Sequence, residues 1–331
     1  MDDFKWGIVG TGEIAKAFVA DMKLVNGRNH KVVAVMGTSM ESAGNFAKEH
    51  QAERAYESIH EMVKEGGIDG VYIASPHPFH HKETIICLEH KIPVLCEKPL
   101  AMNAGQVSEI IEASRNNETR VMEGMWIRYL PSINKMLDLY ASGKIGDAIH
   151  LNASMSYVAP KDKENRFYNE NLGGGSLMDL GIYPVYLALL LFGEPESLQA
   201  FAKLTDDNID EYCQAILRFP GNKFAYCESS IITKTANTAV ITGTKGRIIL
   251  EEQWNEKPPA IVIEYNEGEP ETVSLDWEGR GFQYEIETFT NYIFNKEDSL
   301  LHSMDDSLQL MQVLDDIRDK TGIEYPFDKD A

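Results

Sequence analysis

The sequence predicts an α/β chain in two parts: a doubly wound parallel sheet, then an α+β domain with one large, open, mainly antiparallel sheet. Three observations predict it. Short apolar runs alternate with helical patterns over residues 1–122, the period changes to successive strands from about residue 147 within the second part, 123–331, and a glycine-rich turn follows the first strand.

In the first part, Trp6–Val9, Lys31–Met36, Gly70–Ala74 and Pro93–Cys96 are apolar runs bounded by Gly, Pro, Ser or charged residues. Met40–His50, Ile59–Glu65 and Lys82–His90 carry apolar residues at helical spacing between them. Right-handed crossovers then leave a cleft at the carboxyl ends of the strands. In the second part, Ala148–Val158, Tyr212–Phe219, Lys223–Ile232, Thr238–Thr242, Arg247–Glu251 and Ala260–Tyr265 read as strands. Turn signals such as Pro220-Gly221-Asn222 separate them, and the connections suit antiparallel neighbours. Helices are expected over Ser176–Leu191, Tyr284–Phe294 and Ser303–Asp319. Ser176 followed by Asp179 fits a capping box, and Pro184 should kink the helix behind it.

A net charge of −21 over 331 residues opposes association with nucleic acid or an anionic membrane surface. It does not oppose an anionic cofactor held locally by backbone donors. Cys87, Cys96, Cys213 and Cys227 form no C-x-x-C pair, and four cysteines in a chain of this length fit a reducing compartment. Met1-Asp2-Asp3-Phe4-Lys5 shows no secretory leader, and the apolar run Leu187–Phe192 is too short to span a bilayer, so a cytoplasmic location is expected. No His/Cys/Asp spacing suits a metal.

Gly10-Thr11-Gly12-Glu13-Ile14-Ala15 fits G-x-G-x-x-A, the dinucleotide form with alanine at the third small position. Gly10 permits the turn, Gly12 lets the backbone approach a pyrophosphate, and Ala15 allows close helix–strand packing. The following helix offers its free N–H groups to the phosphates. An acid at the end of the second strand would hold the adenosine ribose. Met36-Gly37-Thr38-Ser39 supplies neither that acid nor an arginine. Thr38 and Ser39 can bind a ribose or a 2′-phosphate, and the missing carboxylate tips the expected cofactor from NAD toward NADP.

Three further segments carry a resemblance. Ala74-Ser75-Pro76-His77-Pro78-Phe79-His80-His81 ends one strand, and Val94-Leu95-Cys96-Glu97-Lys98-Pro99-Leu100-Ala101 ends another. Gly173-Gly174-Gly175-Ser176-Leu177-Met178-Asp179-Leu180-Gly181-Ile182-Tyr183-Pro184 follows later. Together they resemble the glucose–fructose oxidoreductase and inositol dehydrogenase (Gfo/Idh/MocA) family over nearly the whole chain. Trp126-Ile127-Arg128-Tyr129-Leu130-Pro131, Tyr183 and Glu164-Asn165-Arg166 resemble the dimeric dihydrodiol dehydrogenase branch in particular. The absent arginine near Thr38 departs from that branch.

The resemblance implies a Rossmann domain and an NAD(P)-dependent oxidoreductase acting on a secondary alcohol or carbonyl carbon of a sugar, polyol or cyclic trans-diol. Tyr183 would be the acid/base. Lys98 would lower the tyrosine's pKa and stabilise oxyanion charge, and Asp179 would orient Lys98 or a substrate hydroxyl. Pro99 suits a cis Lys98–Pro99 bond. Ser75, Pro76, His77, His80, Glu97, Lys98, Trp126 and Arg128 join the glycine loop as cofactor candidates. Trp126, Arg128, Tyr157, Arg166, Trp254 and Phe282 are candidates for the substrate pocket, beside Asp179 and Tyr183. Pairing of the open sheet faces would give a homodimer. A cofactor-binding sensor and an NAD-dependent glycosidase are the competing readings.

Overall fold

The computed structural model describes residues 3–294 and 300–329; Met1 and Asp2, part of the N-terminus read for a leader, lie outside them. The chain divides into two compact units, one of residues 1–129 with 277–308 and one of 130–276 with 309–331.

The first unit runs β1 (Phe4–Val9), α1 (Glu13–Asp21), β2 (His30–Met36), α2 (Met40–Glu49), β3 (Arg54–Tyr56), α3 (Ile59–Glu65), β4 (Gly70–Ile73), α4 (His77–Glu89), β5 (Val94–Glu97), α5 (Ala104–Asn116) and β6 (Val121–Gly124). The strands lie in the order β3-β2-β1-β4-β5-β6, all parallel, which is the Rossmann order. Helices cover such a sheet on both faces, so β4 is buried at every position and reads as a continuous apolar run. The three-residue β3 and the four-residue β6 are not among the expected strands. The histidine segment opens a helix: α4 begins at His77, with Pro78 in its first turn, where a missing N–H costs nothing.

The second unit contains α6 (Pro131–Ala141), β7 (Ala148–Ser156), α7 (Ile182–Phe192), β8 (Ser197–Leu204), β9 (Asp210–Phe219), β10 (Lys223–Ser230), β11 (Ala239–Gly243), β12 (Gly246–Leu250), β13 (Ile261–Tyr265) and β14 (Glu271–Val273). Eight of these are strands of one sheet, ordered β14-β13-β12-β11-β7-β10-β9-β8, antiparallel except for β7 with β10. Leu151, Leu217, Ala225, Ile241, Ile248 and Ile263 face inward and are fully buried. The alternate residues include Phe201, Ile216 and Phe224, which are exposed. The apolar α7 packs on β7 and β10. The segment Glu170–Phe192 has the length and apolarity of a membrane span, but 83% of its apolar window is buried inside the unit, as in a core segment.

The expected boundary at 122/123 is corrected by α8 (Phe282–Phe294), which belongs to the first unit. Phe289 stacks on Trp6 with centroids 5.4 Å apart and meets Phe4 edge-on. Asp21 Oδ2 accepts the N–H groups of Arg280, Gly281 and Phe282. These buried contacts join residues some 260 apart in sequence, and local periodicity carries no trace of them. The last helix, α9 (Met304–Thr321), gives Ser307 to the first unit and Leu310, Leu314 and Ile317 to the core of the second.

Candidate cofactor and active site

In the first unit the glycine turn has the geometry its sequence requires. Gly10 has φ +95°, and a Cβ there would stand 2.6 Å from the Ala74 carbonyl oxygen. Gly10 N–H donates to Met36 O, tying the turn to the end of β2. Gly12 is the N-cap residue of α1, and a Cβ at Gly12 would meet nothing within 4 Å. The space that a pyrophosphate needs is therefore open, and no side chain caps the helix. Thr11, Gly12, Glu13 and Ile14 lie along this accessible rim, with Glu13 paired to Lys16 at 2.8 Å, while Ala15 is fully buried behind it. These residues fit a dinucleotide phosphate group.

Thr38 is exposed at the end of β2. Ser39 has a structural duty: its Oγ accepts Ser42 N–H at 3.1 Å, and Ser42 Oγ accepts Ser39 N–H, a reciprocal cap of α2.

The loops after β4 and β5 are braced from below. The Lys98–Pro99 peptide is cis. His80 is fully buried, with Nδ1 2.8 Å from Pro99 O and Nε2 2.7 Å from Ser75 O, so it ties the two loops together and does not lie on their surface. Burial lowers its pKa, against the two carbonyl acceptors that favour the charged ring. His77 lies beside it, ring centroids 5.8 Å apart. Ser75 Oγ donates to Glu83, whose carboxyl burial pushes up to about 7. Pro76 is exposed. Leu100 N–H donates to Glu123 Oε1 at 2.9 Å, and Glu123 Oε2 lies 2.8 Å from His302 Nε2. Sequence reasoning missed Glu123 and His302, because they act on Lys98–Leu100 through folding and stand in no motif.

Lys98 is buried to 9% exposure. Its neighbour Glu97 accepts a short hydrogen bond from Tyr72, and burial raises its pKa to about 7 despite that bond and the Lys98 charge. Trp126 stacks on Phe282 with centroids 5.1 Å apart, and both are nearly buried. Arg128 Nε donates to Leu301 O at 3.2 Å.

In the second unit the triple glycine lets two segments touch. A Cβ on Gly174 would stand 2.8 Å from Phe167 O and 2.9 Å from Arg166 O. Gly175 has φ +117°, and its Cβ would fall 2.0 Å from Asp210 Oδ1. The close approach brings Arg166 onto Asp179, Nη2 to Oδ2 2.6 Å, with Asp179 buried and Arg166 half exposed. Asn165 steadies the turn by accepting Phe167 N–H. Arg166 and Asp179 were separate expectations, and the structure brings them together.

The expected capping box is absent. Ser176 Oγ donates instead to Asp210 Oδ2 at 2.8 Å, and that oxygen also accepts Ser176 N–H and Leu177 N–H. Burial raises Asp210 to about 6 in spite of these donors. Residues Leu177–Gly181 form a π turn, with Gly181 N–H reaching Ser176 O at 2.9 Å. Pro184 therefore falls in the first turn of α7 and not at a mid-helix kink. Asp179 lies on the π turn and Tyr183 at the start of α7, each no more than 7% exposed. Tyr157 is half exposed, 5.4 Å from Phe167. Trp254 is fully buried with its indole N–H on Ser154 O at 3.1 Å, a core position rather than a pocket wall. Among the described residues no group of three or more His, Cys, Asp or Glu is placed to hold a metal.

A Rossmann sheet with an open glycine turn, joined in one chain to a large antiparallel sheet, defines an NAD(P)-dependent oxidoreductase of the dehydrogenase/reductase class. The model of the oxidoreductase family with NAD-binding Rossmann fold matches residues 4–125, and that of the GFO/IDH/MocA C-terminal domain matches 133–249. The chain belongs to the Gfo/Idh/MocA family. It is 34% identical to trans-1,2-dihydrobenzene-1,2-diol dehydrogenase of Xenopus tropicalis, over 97% of this chain and 99% of that one. The human enzyme of the same name is 28% identical over 98% and 99%. Among solved structures, an aldose–aldose oxidoreductase from Caulobacter crescentus shares the fold with TM-score 0.88 at 20% identity, covering 97% of this chain and 98% of the other. A 3-ketoreductase from Actinomadura kijaniata, solved with NADP and TDP-benzene, gives 0.86 at 21% over the same shares.

Proposed function

We propose that this protein transfers a hydride between a nicotinamide cofactor and the secondary alcohol or carbonyl carbon of a sugar, polyol or cyclic trans-diol. The observation that carries the reading is the open backbone at Gly12, a pyrophosphate seat at the N-terminus of α1. The similarity to diol dehydrogenases over almost the whole chain supports the substrate class. A nicotinamide held there would supply the hydride-transfer chemistry. Tyr183 gives or takes the hydroxyl proton, Lys98 steadies charge developing on the substrate oxygen, and Asp179, held by Arg166, orients a substrate hydroxyl. Glu97, Ser75, Pro76 and His77 border the cofactor, with His80 fixing their loops from beneath. Trp126, Arg128, Tyr157, Arg166 and Phe282 contribute to substrate recognition.

The protein works as a cytoplasmic homodimer with neither nucleic acid nor membrane as partner. Phe201, Ile216 and Phe224 on the exposed sheet face support the dimer. Light scattering should give twice the chain mass at micromolar concentration, and Ile216→Lys should reduce it to one. A native protein that is monomeric there would overturn the dimer.

Titration with NADH and NADPH, followed by a panel of sugars, inositols, 1,2-diols and dicarbonyls read at the reduced-nicotinamide band, tests the activity. Turnover of one compound supports the reading. Tight cofactor binding with no absorbance change across the panel would favour a sensor, or a glycosidase that recycles its cofactor.

A further inference from the structure

The end of β2 carries no carboxylate, but one stands directly after β3, at Glu57. Three successive contacts run along one rim of the parallel sheet. Gly10 N–H donates to Met36 O at 2.9 Å, and Gly37 N–H donates to Tyr56 O at 3.1 Å. Met40 N–H then donates to the side-chain Oε1 of Glu57 at 2.6 Å. Glu57 directly follows β3 and is exposed. The rim thus leads from the phosphate turn to the place where this topology lays the adenosine ribose. At that place the first amide of α2 is already taken by a carboxylate, and Glu41 adds a second negative charge in the same turn.

We propose that Glu57 sets the cofactor preference of this protein, selecting NAD over NADP. The inference rests on the reading of the Gly10–Ala15 turn as a dinucleotide site. Two effects act in one direction. A 2′-phosphate approaching Thr38 and Ser39 meets the Glu57 charge, and it loses the Met40 N–H that would otherwise receive it. A ribose 2′-hydroxyl, by contrast, is a donor, and Glu57 Oε2 is an acceptor of the kind it needs. The preference expected from Thr38 and Ser39 alone is therefore reversed by a residue some twenty positions further along the chain.

The test is equilibrium binding of NADH and NADPH, by fluorescence, to the full chain and to Glu57→Gln. The amide keeps an oxygen for Met40 N–H and removes the charge. The native protein should bind NADH about tenfold or more tighter than NADPH at low salt, with the gap narrowing as salt screens the carboxylate. Glu57→Gln should shrink the ratio by about threefold or more, through tighter NADPH binding. Glu61→Gln, which removes the same charge from α3, should leave it unchanged. Tighter NADPH binding by the native protein, or a ratio that Glu57→Gln leaves within about twofold, would overturn the proposal while the cofactor reading stands. Failure of both nucleotides to bind would overturn the cofactor reading itself and this inference with it.

Discussion

The two units present their functional groups in opposite ways. In the first, the candidate phosphate seat is backbone: a turn at Gly10, open space at Gly12 and uncapped amides at the start of α1. The side chains of His80, Glu123 and His302 brace the neighbouring loops from underneath. In the second, the candidate groups are the side chains of Asp179, Arg166 and Tyr183, and the backbone is the support. Its support is irregular, a π turn pinned by Asp210 and by the close approach of Gly174 and Gly175 to neighbouring segments. A glycine therefore means two things in one chain. Gly12 leaves room for something that arrives, and Gly175 leaves room for something already present.

Substitutions at these positions should separate the two designs. The largest effect belongs to Tyr183→Phe. Turnover should fall by about 10²–10⁴, the usual contribution of a positioned acid/base, while the dissociation constant for the reduced nucleotide stays at its native value. Full turnover with the native pH profile would remove Tyr183 from the mechanism. Gly12→Val should do the reverse. Its φ of −77° suits any residue, so stability should fall by no more than a lost N-cap preference, about 1 kcal/mol, while nucleotide binding weakens by about 10² through displacement of the pyrophosphate. Gly175→Ala should lower stability by about 1–3 kcal/mol, because its backbone is in a region that side chains rarely adopt and its Cβ would strike Asp210. Denaturation midpoints measure that loss, and nucleotide binding by the folded fraction should be native-like. If the two glycine variants showed the same pattern, the distinction between the units would be wrong.

The sequence was most legible where function depends on backbone. G-x-G-x-x-A between a strand and a helix specifies its own geometry, and Glu97-Lys98-Pro99 marks the end of β5. It was least legible where distant segments meet. Nothing near Asp210 announces that its carboxylate will hold the start of a π turn, and Ser176-x-x-Asp179 fits a capping box on paper only. The π turn forms because Asp210 competes successfully for the Ser176 hydroxyl and two amides, while Arg166 takes Asp179. Trp254, offered as an aromatic face for the substrate, is likewise placed by a distant segment: it is fully buried, its N–H received by the carbonyl of Ser154, 100 residues away. The boundary at 122 failed because residues 277–294 return to β1 and α1 through aromatic packing that no local period encodes.

The buried carboxyls extend the same contrast. Asp210 in the second unit has three donors on one oxygen. Glu285 on α8 is fully buried in the first, and neither of its oxygens has a hydrogen-bond partner among the described residues. Burial raises its pKa well above the ordinary carboxyl value, and the Glu97 charge adds to the rise. A carboxyl whose folded-state pKa is raised binds its proton more tightly in the native than in the unfolded chain. Its effect on stability is then neutral below the unfolded pKa near 4.3 and becomes unfavourable as pH climbs above it. The penalty grows by at most about 1.4 kcal/mol per pH unit, until the native carboxyl ionises as well. Glu285→Gln keeps the shape and removes the proton linkage, so it should be close to native in stability at about pH 4 and more stable than native at about pH 8. Urea midpoints at the two pH values decide the matter. Parallel pH profiles for the two proteins would show that Glu285 carries no such proton linkage and that its burial costs the folded state no charge.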